Sequence, residues 1–233
     1  MSDTPPILAL RDLQYRWPGA AGFGLGIAKF AVDPGETVLL LGESGSGKST
    51  LLSLICGTIT ALSGSVSVQG VDLSSLSAAG RDRFRAEHIG VIFQQFNLLP
   101  FGSVLDNIHL PLRFAPERRA RVDDPKETAK RLIENLGLPK NLTTARAGTL
   151  SVGQQQRVAA ARALIGDPPL IVADEPTSAL DASTQATFLD LLFSQCRNHN
   201  AALLMVSHDA RLATHFDRVV DMTDIAVIER DAA

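Results

Sequence analysis

No stretch of this 233-residue chain is apolar for long enough to cross a bilayer as a helix. Such a helix takes about 20 consecutive apolar residues, and the longest runs here, residues 38–41 and 201–206, are strand-sized. Any membrane role is therefore expected to go through a partner. Cysteine is nearly absent: Cys56 and Cys196 stand alone and far apart. They fit neither a disulfide framework nor a metal site, and read as small buried hydrophobes in a reducing compartment. There is no excess of basic residues. A formal net charge of −3 gives no sign of a protein steered to nucleic acid by bulk positive charge. Residues 1–10 show no basic segment followed by an apolar one, so a secretory leader is not expected. Repeats, low-complexity stretches and long linkers are missing too.

What is present is ordinary globular composition, 45% hydrophobic and 20% charged, at a length that suits one α/β domain with a lobe inserted. Residues 37–41, 170–173 and 201–206 form nearly continuous apolar runs, as strands covered on both faces do in a parallel sheet. Helical stretches separate them, residues 49–56 after the first and 183–197 between the second and third, and this alternation predicts a doubly wound core. Residues 7–32 and 64–71 read as short strands broken by glycines, a flanking antiparallel sheet. Residues 99–150 are helical and charged. There Asp124 is a credible N-cap, Pro125 takes the first helical position and Glu127 the third. Ala129, Leu132, Ile133 and Leu136 then follow helical spacing, and Gly137 with Pro139 closes the helix.

Gly42-Glu43-Ser44-Gly45-Ser46-Gly47-Lys48-Ser49 fits G-x-x-x-x-G-K-[ST], directly after a strand and before a helix. Glycines let successive N–H groups converge on phosphate oxygens, and the following helix adds its positive end. Lys48 is suited to the β- and γ-phosphates, Ser49 to Mg²⁺, and Thr50 continues the phosphate-binding turn. The bare pattern arises by chance in about one chain of this size in a hundred given ordinary glycine content. Its strand-helix setting makes chance rarer still.

The run at 170–173 ends in Asp174-Glu175, which delivers two carboxylates to the carboxyl edge of the sheet, where ligands bind in open α/β folds. Asp174 is placed to hold Mg²⁺, through water, and Glu175 to orient or deprotonate an attacking water. His208 closes the third run, at the same edge, where an imidazole can contact the γ-phosphate.

Leu150-Ser151-Val152-Gly153-Gln154 resembles the signature of ATP-binding cassette (ABC) transporters, normally Leu-Ser-Gly-Gly-Gln. On its own, Ser151 with Gln154 is also a capping box. The order of phosphate loop, Gln94, signature, Asp174-Glu175, Asp181 and His208 is the family's, over nearly the whole chain. The resemblance implies the ABC ATPase fold: a P-loop NTPase core with parallel sheet, a flanking antiparallel β-subdomain and an inserted α-helical subdomain. In that reading one domain fills residues 1–233, with the β-subdomain and core in 7–98 and 156–228 and the helical subdomain in 99–155. It also implies that Trp17 stacks on adenine, with Tyr15 the second choice. Gln94 would contact Mg²⁺ and the attacking water and sense the membrane partner. Asp181 would cross a dimer interface, and Ser151, Gly153 and Gln154 would contact the γ-phosphate held by another copy's Lys48.

From the resemblance follow ATP and Mg²⁺ as ligands, an ATP-dependent head-to-tail homodimer, and a cytoplasmic location on the inner face of the cell membrane. Val152 replaces the signature's first glycine. A helical backbone there makes valine cost only a few tenths of a kcal/mol, and this is expected; a positive φ would strain it, and slower hydrolysis is the open alternative. Residues 94–100, Gln-Gln-Phe-Asn-Leu-Leu-Pro, with 104–108 and 110–112, look like the lipoprotein-release and macrolide-exporter group. That group implies a permease of few membrane helices that contacts the helical subdomain, for export or mechanotransmission. A small-molecule phosphotransferase would give the signature helix no role. A soluble ABC protein acting on nucleic acid or ribosomes usually carries two cassettes or long arms, and a GTPase would need an Asn-Lys-x-Asp stretch.

Overall fold

The computed structural model describes residues 4–17, 23–178 and 180–229. Ten strands run in chain order as β1 (Leu8–Arg16), β2 (Gly24–Val32), β3 (Thr37–Leu41), β4 (Ser63–Val68), β5 (Val71–Asp72), β6 (Ile89–Ile92), β7 (Leu170–Asp174), β8 (Ala202–Ser207), β9 (Arg218–Asp221) and β10 (Ala226–Glu229). The α-helices are α1 (Lys48–Ile55), α2 (Ala78–His88), α3 (Val104–His109), α4 (Pro116–Ala120), α5 (Pro125–Asn135), α6 (Val152–Leu164), α7 (Ala182–Asn198) and α8 (Met222–Ile225). The chain divides into two compact units, Met1–Arg85 with Leu204–Ala233, and Ala86–Leu203.

In the first unit an antiparallel sheet has the order β10-β2-β1-β4-β5. β1 buries Leu8 and Leu10, then Leu13 and Tyr15. The face changes parity because Asp12 takes a left-handed φ of 47° and the β1–β4 register shifts between Arg11 and Gln14. That bulge keeps both apolar halves of the strand on the buried side. The expected glycine-broken antiparallel sheet is thus present. The parallel strand β3 buries Thr37 to Leu40 completely or nearly so and pairs with β9 from Val38↔Arg218 to Leu41↔Asp221. Neither β9 nor β10 stood out in the sequence, since each has only four residues and a charged one at an end.

In the second unit β6 and β7 are parallel, from Ile89↔Leu170 to Ile92↔Ala173. The alanine-rich helix α6 lies so close to β6 that a Cβ at Gly90 would sit 2.3 Å from the Ala163 carbonyl oxygen. Only glycine permits that approach. α5 starts as the sequence predicts: Asp124 accepts from the N–H groups of Lys126 and Glu127, Pro125 is the first helical residue, and Ala129, Leu132, Ile133 and Leu136 are buried.

Arg118 is 1% exposed. Its Nε donates to the Ile165 carbonyl at 2.6 Å, Nη2 to Ala163 at 2.6 Å and Nη1 to Ala86 at 3.2 Å, while its backbone N–H bonds the Glu87 carboxylate at 2.6 Å. The guanidinium thereby satisfies carbonyls at the C-terminal end of α6 that have no intrahelical partner. Burial pulls its pKa down to about 10. Both cysteines are buried and free, and burial raises the Cys196 thiol to about 12, as their reading as inert hydrophobes requires. Among the described residues no helix is long and apolar enough to cross a membrane.

Candidate nucleotide site

The glycine-rich loop joins β3 to α1. Gly45 and Gly47 have φ of 80° and 89°, a conformation that L side chains rarely adopt, and Gly47 caps α1 without a side chain of its own. A Cβ at Gly42 would lie 2.6 Å from Ser46 Oγ, and that hydroxyl is buried without a partner among the described residues. Lys48 is 7% exposed and folds back over the loop, donating from Nζ to the Gly42 carbonyl at 2.6 Å and to that of Glu43 at 2.8 Å. An ammonium has three donors, so one is left for a phosphate oxygen. The left-handed glycines, Lys48 and the N-terminus of α1 thus stand side by side in the loop, an arrangement suited to holding a phosphate.

Trp17 reaches this cradle from the end of β1. Its Nε1 donates to Thr50 Oγ1 of α1 at 3.2 Å, and 40% of its surface is open to solvent. Tyr15 is 8% exposed and meets the Trp17 ring edge-on, with centroids 5.4 Å apart and planes at 87°. Of the two aromatic candidates, the tryptophan therefore offers an accessible face beside the first turn of α1, and the tyrosine supports it. In the strand order β3 lies between β9 and β8; His208 follows the end of β8 and is exposed.

In the second unit the pairing Ile92↔Ala173 sends Gln94 and the pair Asp174-Glu175 off the same edge of two parallel strands. Gln94 is exposed at the centre of a turn in which Phe96 N–H bonds the Phe93 carbonyl at 3.0 Å. Glu175 has φ 41° although it is not glycine and precedes Pro176. Such backbone strain is retained where the surroundings force it, and it clusters at reactive positions.

Ser151 is the N-cap of α6 in a capping box: its Oγ accepts from Gln154 N–H at 3.3 Å, and Gln154 Oε1 accepts from Ser151 N–H at 3.0 Å. Val152 is the first helical residue, exposed, and not among the positive-φ positions, so the expected helical backbone holds and valine is unstrained there. A Cβ at Gly153 would meet only Thr184 Cγ2, at 4.0 Å. The fold has room for a side chain where the sequence keeps a glycine.

The description of the ABC transporter family matches residues 25–178. The chain belongs to the ABC transporter family. It is 44% identical over 196 residues, 84% of each chain, to the uncharacterized ABC transporter ATP-binding protein YbbA of Escherichia coli strain K12. The lipoprotein-releasing system ATP-binding protein LolD of Syntrophotalea carbinolica is 42% identical over 193 residues, 83% of each chain. Among solved structures, a dimeric post-hydrolysis state of the ATP-binding cassette MJ0796 bound to ADP and Pi matches at a TM-score of 0.77 and 30% identity, over 92% of this chain and 93% of that one. The chain is an ABC cassette of the ATP-binding type and an ATPase.

Within this ABC cassette Asp181 has a local task. It caps α7, accepting from the N–H groups of Ser183 and Thr184 at 3.1 and 3.0 Å and from both their hydroxyls. These bonds, that of the Ser183 hydroxyl first, hold its carboxyl far below the ordinary range. Mg²⁺ takes hard oxygen ligands, one or two from side chains and the rest from phosphates and water. The Ser49 hydroxyl, the Gln94 amide oxygen and the Asp174 carboxylate are such donors; the first two residues are exposed and the third is half-buried. Each is by its chemistry a hard oxygen donor of the kind that ion takes, and among the described residues no group of three or more His, Cys, Asp or Glu forms a protein-only cage.

Two polar side chains on the signature helix escape sequence reasoning. Gln156, fully buried, donates to the Pro176 carbonyl at 2.6 Å. Arg162, 7% exposed, donates to the carbonyls of Phe96 at 2.5 Å and Asn97 at 2.7 Å. Their neighbours on α6 are mostly alanines, and no periodicity separates a buried polar residue from a solvated one.

Proposed function

We propose that two copies of this ATPase close head to tail on two ATP molecules and so drive a separate membrane permease, from the inner face of the cell membrane. The observation that carries this reading is the N-terminus of α6. It is serine-capped, exposed and positive by its dipole, and its Gly153 answers to no requirement inside the chain. A glycine at an anion-binding helix end, with open space beside it, suits close approach by the terminal phosphate held on another copy. The dimeric MJ0796 cassette bound to ADP and Pi supports the same arrangement.

In this reading the cradle amides, with Lys48, Ser49 and Thr50, hold the β- and γ-phosphates, and Trp17 stacks on adenine. Ser151, Gly153 and Gln154 contact the γ-phosphate from the opposite copy, and Asp181 stands at the interface. Ser49, Gln94 and Asp174 would hold Mg²⁺, which would offset phosphate charge. Glu175 orients the water and takes its proton as the oxygen attacks the γ-phosphorus. The bond to the leaving ADP oxygen breaks, and His208 steadies the γ-phosphate. Since the γ-phosphate contacts exist only before hydrolysis, closure and opening become a stroke.

For the permease, the second unit offers three exposed phenylalanines: Phe93 beside Gln94, then Phe101 and Phe114, 40%, 75% and 67% open. An exposed phenylalanine next to the turn of Gln94 suits a partner helix that is felt at the active site, and Phe101 and Phe114 add exposed aromatic surface to the same unit. The kinship with LolD favours a lipoprotein-release or export permease. Nucleic acid is not an expected partner.

Glu175→Gln tests the assembly. The variant is expected to lose turnover and to elute as a dimer from a size-exclusion column run with MgATP. Elution as a monomer with ATP bound would sink the head-to-tail arrangement.

A further inference from the structure

The turn that presents Gln94 is followed by an unusual piece of backbone. Phe96 and Asn97 both have left-handed φ, 58° and 47°. Left-handed residues are sterically disfavoured, more so for a bulky one and for two in succession, and persist where surrounding contacts force them. The contacts are identifiable. The Phe96 ring is buried at 8% exposure, and Asn97 N–H bonds the Gln95 carbonyl at 2.6 Å. Downstream, the fully buried Asn107 grips Leu99 through both backbone groups, at 2.7 and 3.1 Å. The remaining hold comes from Arg162, whose Nη2 and Nη1 take the carbonyls of Phe96 and Asn97. The fork of a guanidinium suits two adjacent carbonyls, and its charge strengthens both bonds.

Arg162 belongs to α6, whose first turn is Ser151 and its neighbours. It lies three turns further on, roughly 16 Å along the axis at 1.5 Å per residue. One rigid helix thus has the signature at one end and the turn of Gln94 clamped at the other. We propose that Arg162 is a positioning residue for ATP hydrolysis, which acts by holding the Phe96–Asn97 carbonyls so that the turn presents Gln94 in register with the signature helix. The inference rests on the reading of Gln94 as a water- and metal-contacting residue. It adds a route by which phosphate engagement at Ser151 and displacement of Gln94 by a partner oppose or reinforce each other.

The test compares Arg162→Gln, Arg162→Lys, Gln94→Ala and the double variant Gln94→Ala/Arg162→Gln in steady-state MgATP hydrolysis by the purified protein. Arg162→Gln is expected to lower kcat by ten- to a hundredfold, the scale on which a misplaced catalytic group is felt, with KM changed less than about threefold. Arg162→Lys, which keeps the charge but loses the fork, is expected to recover part of the loss. The double variant should be no slower than Gln94→Ala, because a residue that acts through another has nothing left to position. Losses that multiply overturn the inference while leaving Gln94 its role; a Gln94→Ala protein with full turnover removes that role and the inference with it. Should Arg162→Gln fail to fold, hydrogen exchange on Arg162→Lys decides. Faster exchange in residues 93–99 with α6 still protected supports the clamp, and unchanged exchange there overturns it.

Discussion

The side-chain amide of Gln156, midway along α6, donates to the carbonyl of Pro176 at 2.6 Å, one residue beyond the left-handed Glu175. The hydrogen bond ties the segment after Asp174-Glu175 to the signature helix, and Gln185 steadies it further by donating to Thr177 Oγ1 at 2.8 Å. Gln156→Ala leaves a buried carbonyl without its donor, which costs about 1–3 kcal/mol. The same change removes Gln156 Oε1, a buried acceptor without a partner among the described residues, so the net loss is expected near the lower end. Turnover should suffer more than stability, with kcat down about tenfold and KM little changed. Thermal unfolding beside steady-state kinetics checks this, and a variant that unfolds early yet hydrolyses normally would contradict it.

Trp17 is the chain's only tryptophan, bonded through Nε1 to Thr50 in the first turns of α1. ATP binding is expected to shift its emission, because a base over the exposed ring replaces water. Trp17→Ala should weaken ATP binding about tenfold, within the range of base–aromatic stacking energies. Trp17→Phe should recover most of the affinity but none of the signal. A fluorescence titration with ATP, repeated with ADP, provides the measurement. An unchanged spectrum at saturating ATP would move adenine away from this ring, and the burial of Tyr15 makes it a poor substitute.

The elements that were legible in the sequence are those whose physics is local. β3, β7 and β8 announce themselves as continuous apolar runs, the cradle as glycines at fixed offsets, and α5 by an Asp-Pro start and a Gly stop. β6 was not legible, because it has four residues and one is Gly90, which is there for the approach of α6 rather than for strand propensity. Nor was the polar scaffolding of the site. Arg118 is buried and Arg119 beside it is exposed, a difference that comes from where the end of α6 lies and leaves no trace in an arginine-rich segment. Arg162 and Gln156 repeat the point on α6. The residues proposed to touch nucleotide can be read from motif spacing, whereas those that hold them in place depend on long-range contacts.

His199 and Asp167 supply a pH dependence. His199 Nδ1 lies 2.9 Å from Asp167 Oδ1. The hydrogen bond to Asp167 raises the imidazole above its usual 6.5, and that from His199 lowers the carboxyl below 3.8. A raised histidine contributes stability that is complete below the unfolded pKa near 6.5 and is lost as pH rises through the folded value. A depressed aspartate contributes above its unfolded pKa and loses that as pH falls through the folded one. The pair is therefore at full strength between these limits. His199→Gln should show its largest deficit in urea unfolding near pH ~5.5 and a smaller one at pH ~8.5. Both side chains are partly exposed, so added salt should shrink the effect. An equal deficit at both pH values would assign the loss to packing instead of charge.

Val152 is the departure from the family signature, and its surroundings say what restoring glycine would do. It is the first residue of α6, 48% exposed, with a helical backbone that demands no positive φ. Glycine is a poorer helix former than valine by a few tenths of a kcal/mol, so Val152→Gly is expected to lower stability by no more than that. Turnover should stay within about twofold of the starting protein, because the features of this helix end proposed to meet phosphate are the cap of Ser151 and the bare backbone at Gly153, and neither depends on residue 152. Steady-state hydrolysis over a range of protein concentrations separates the two ways this can fail. A Val152→Gly protein with turnover raised tenfold at every concentration would mean that the isopropyl group obstructs the phosphate in the closed dimer. A rise confined to low concentration would mean that it hinders closure itself, since only there is association limiting.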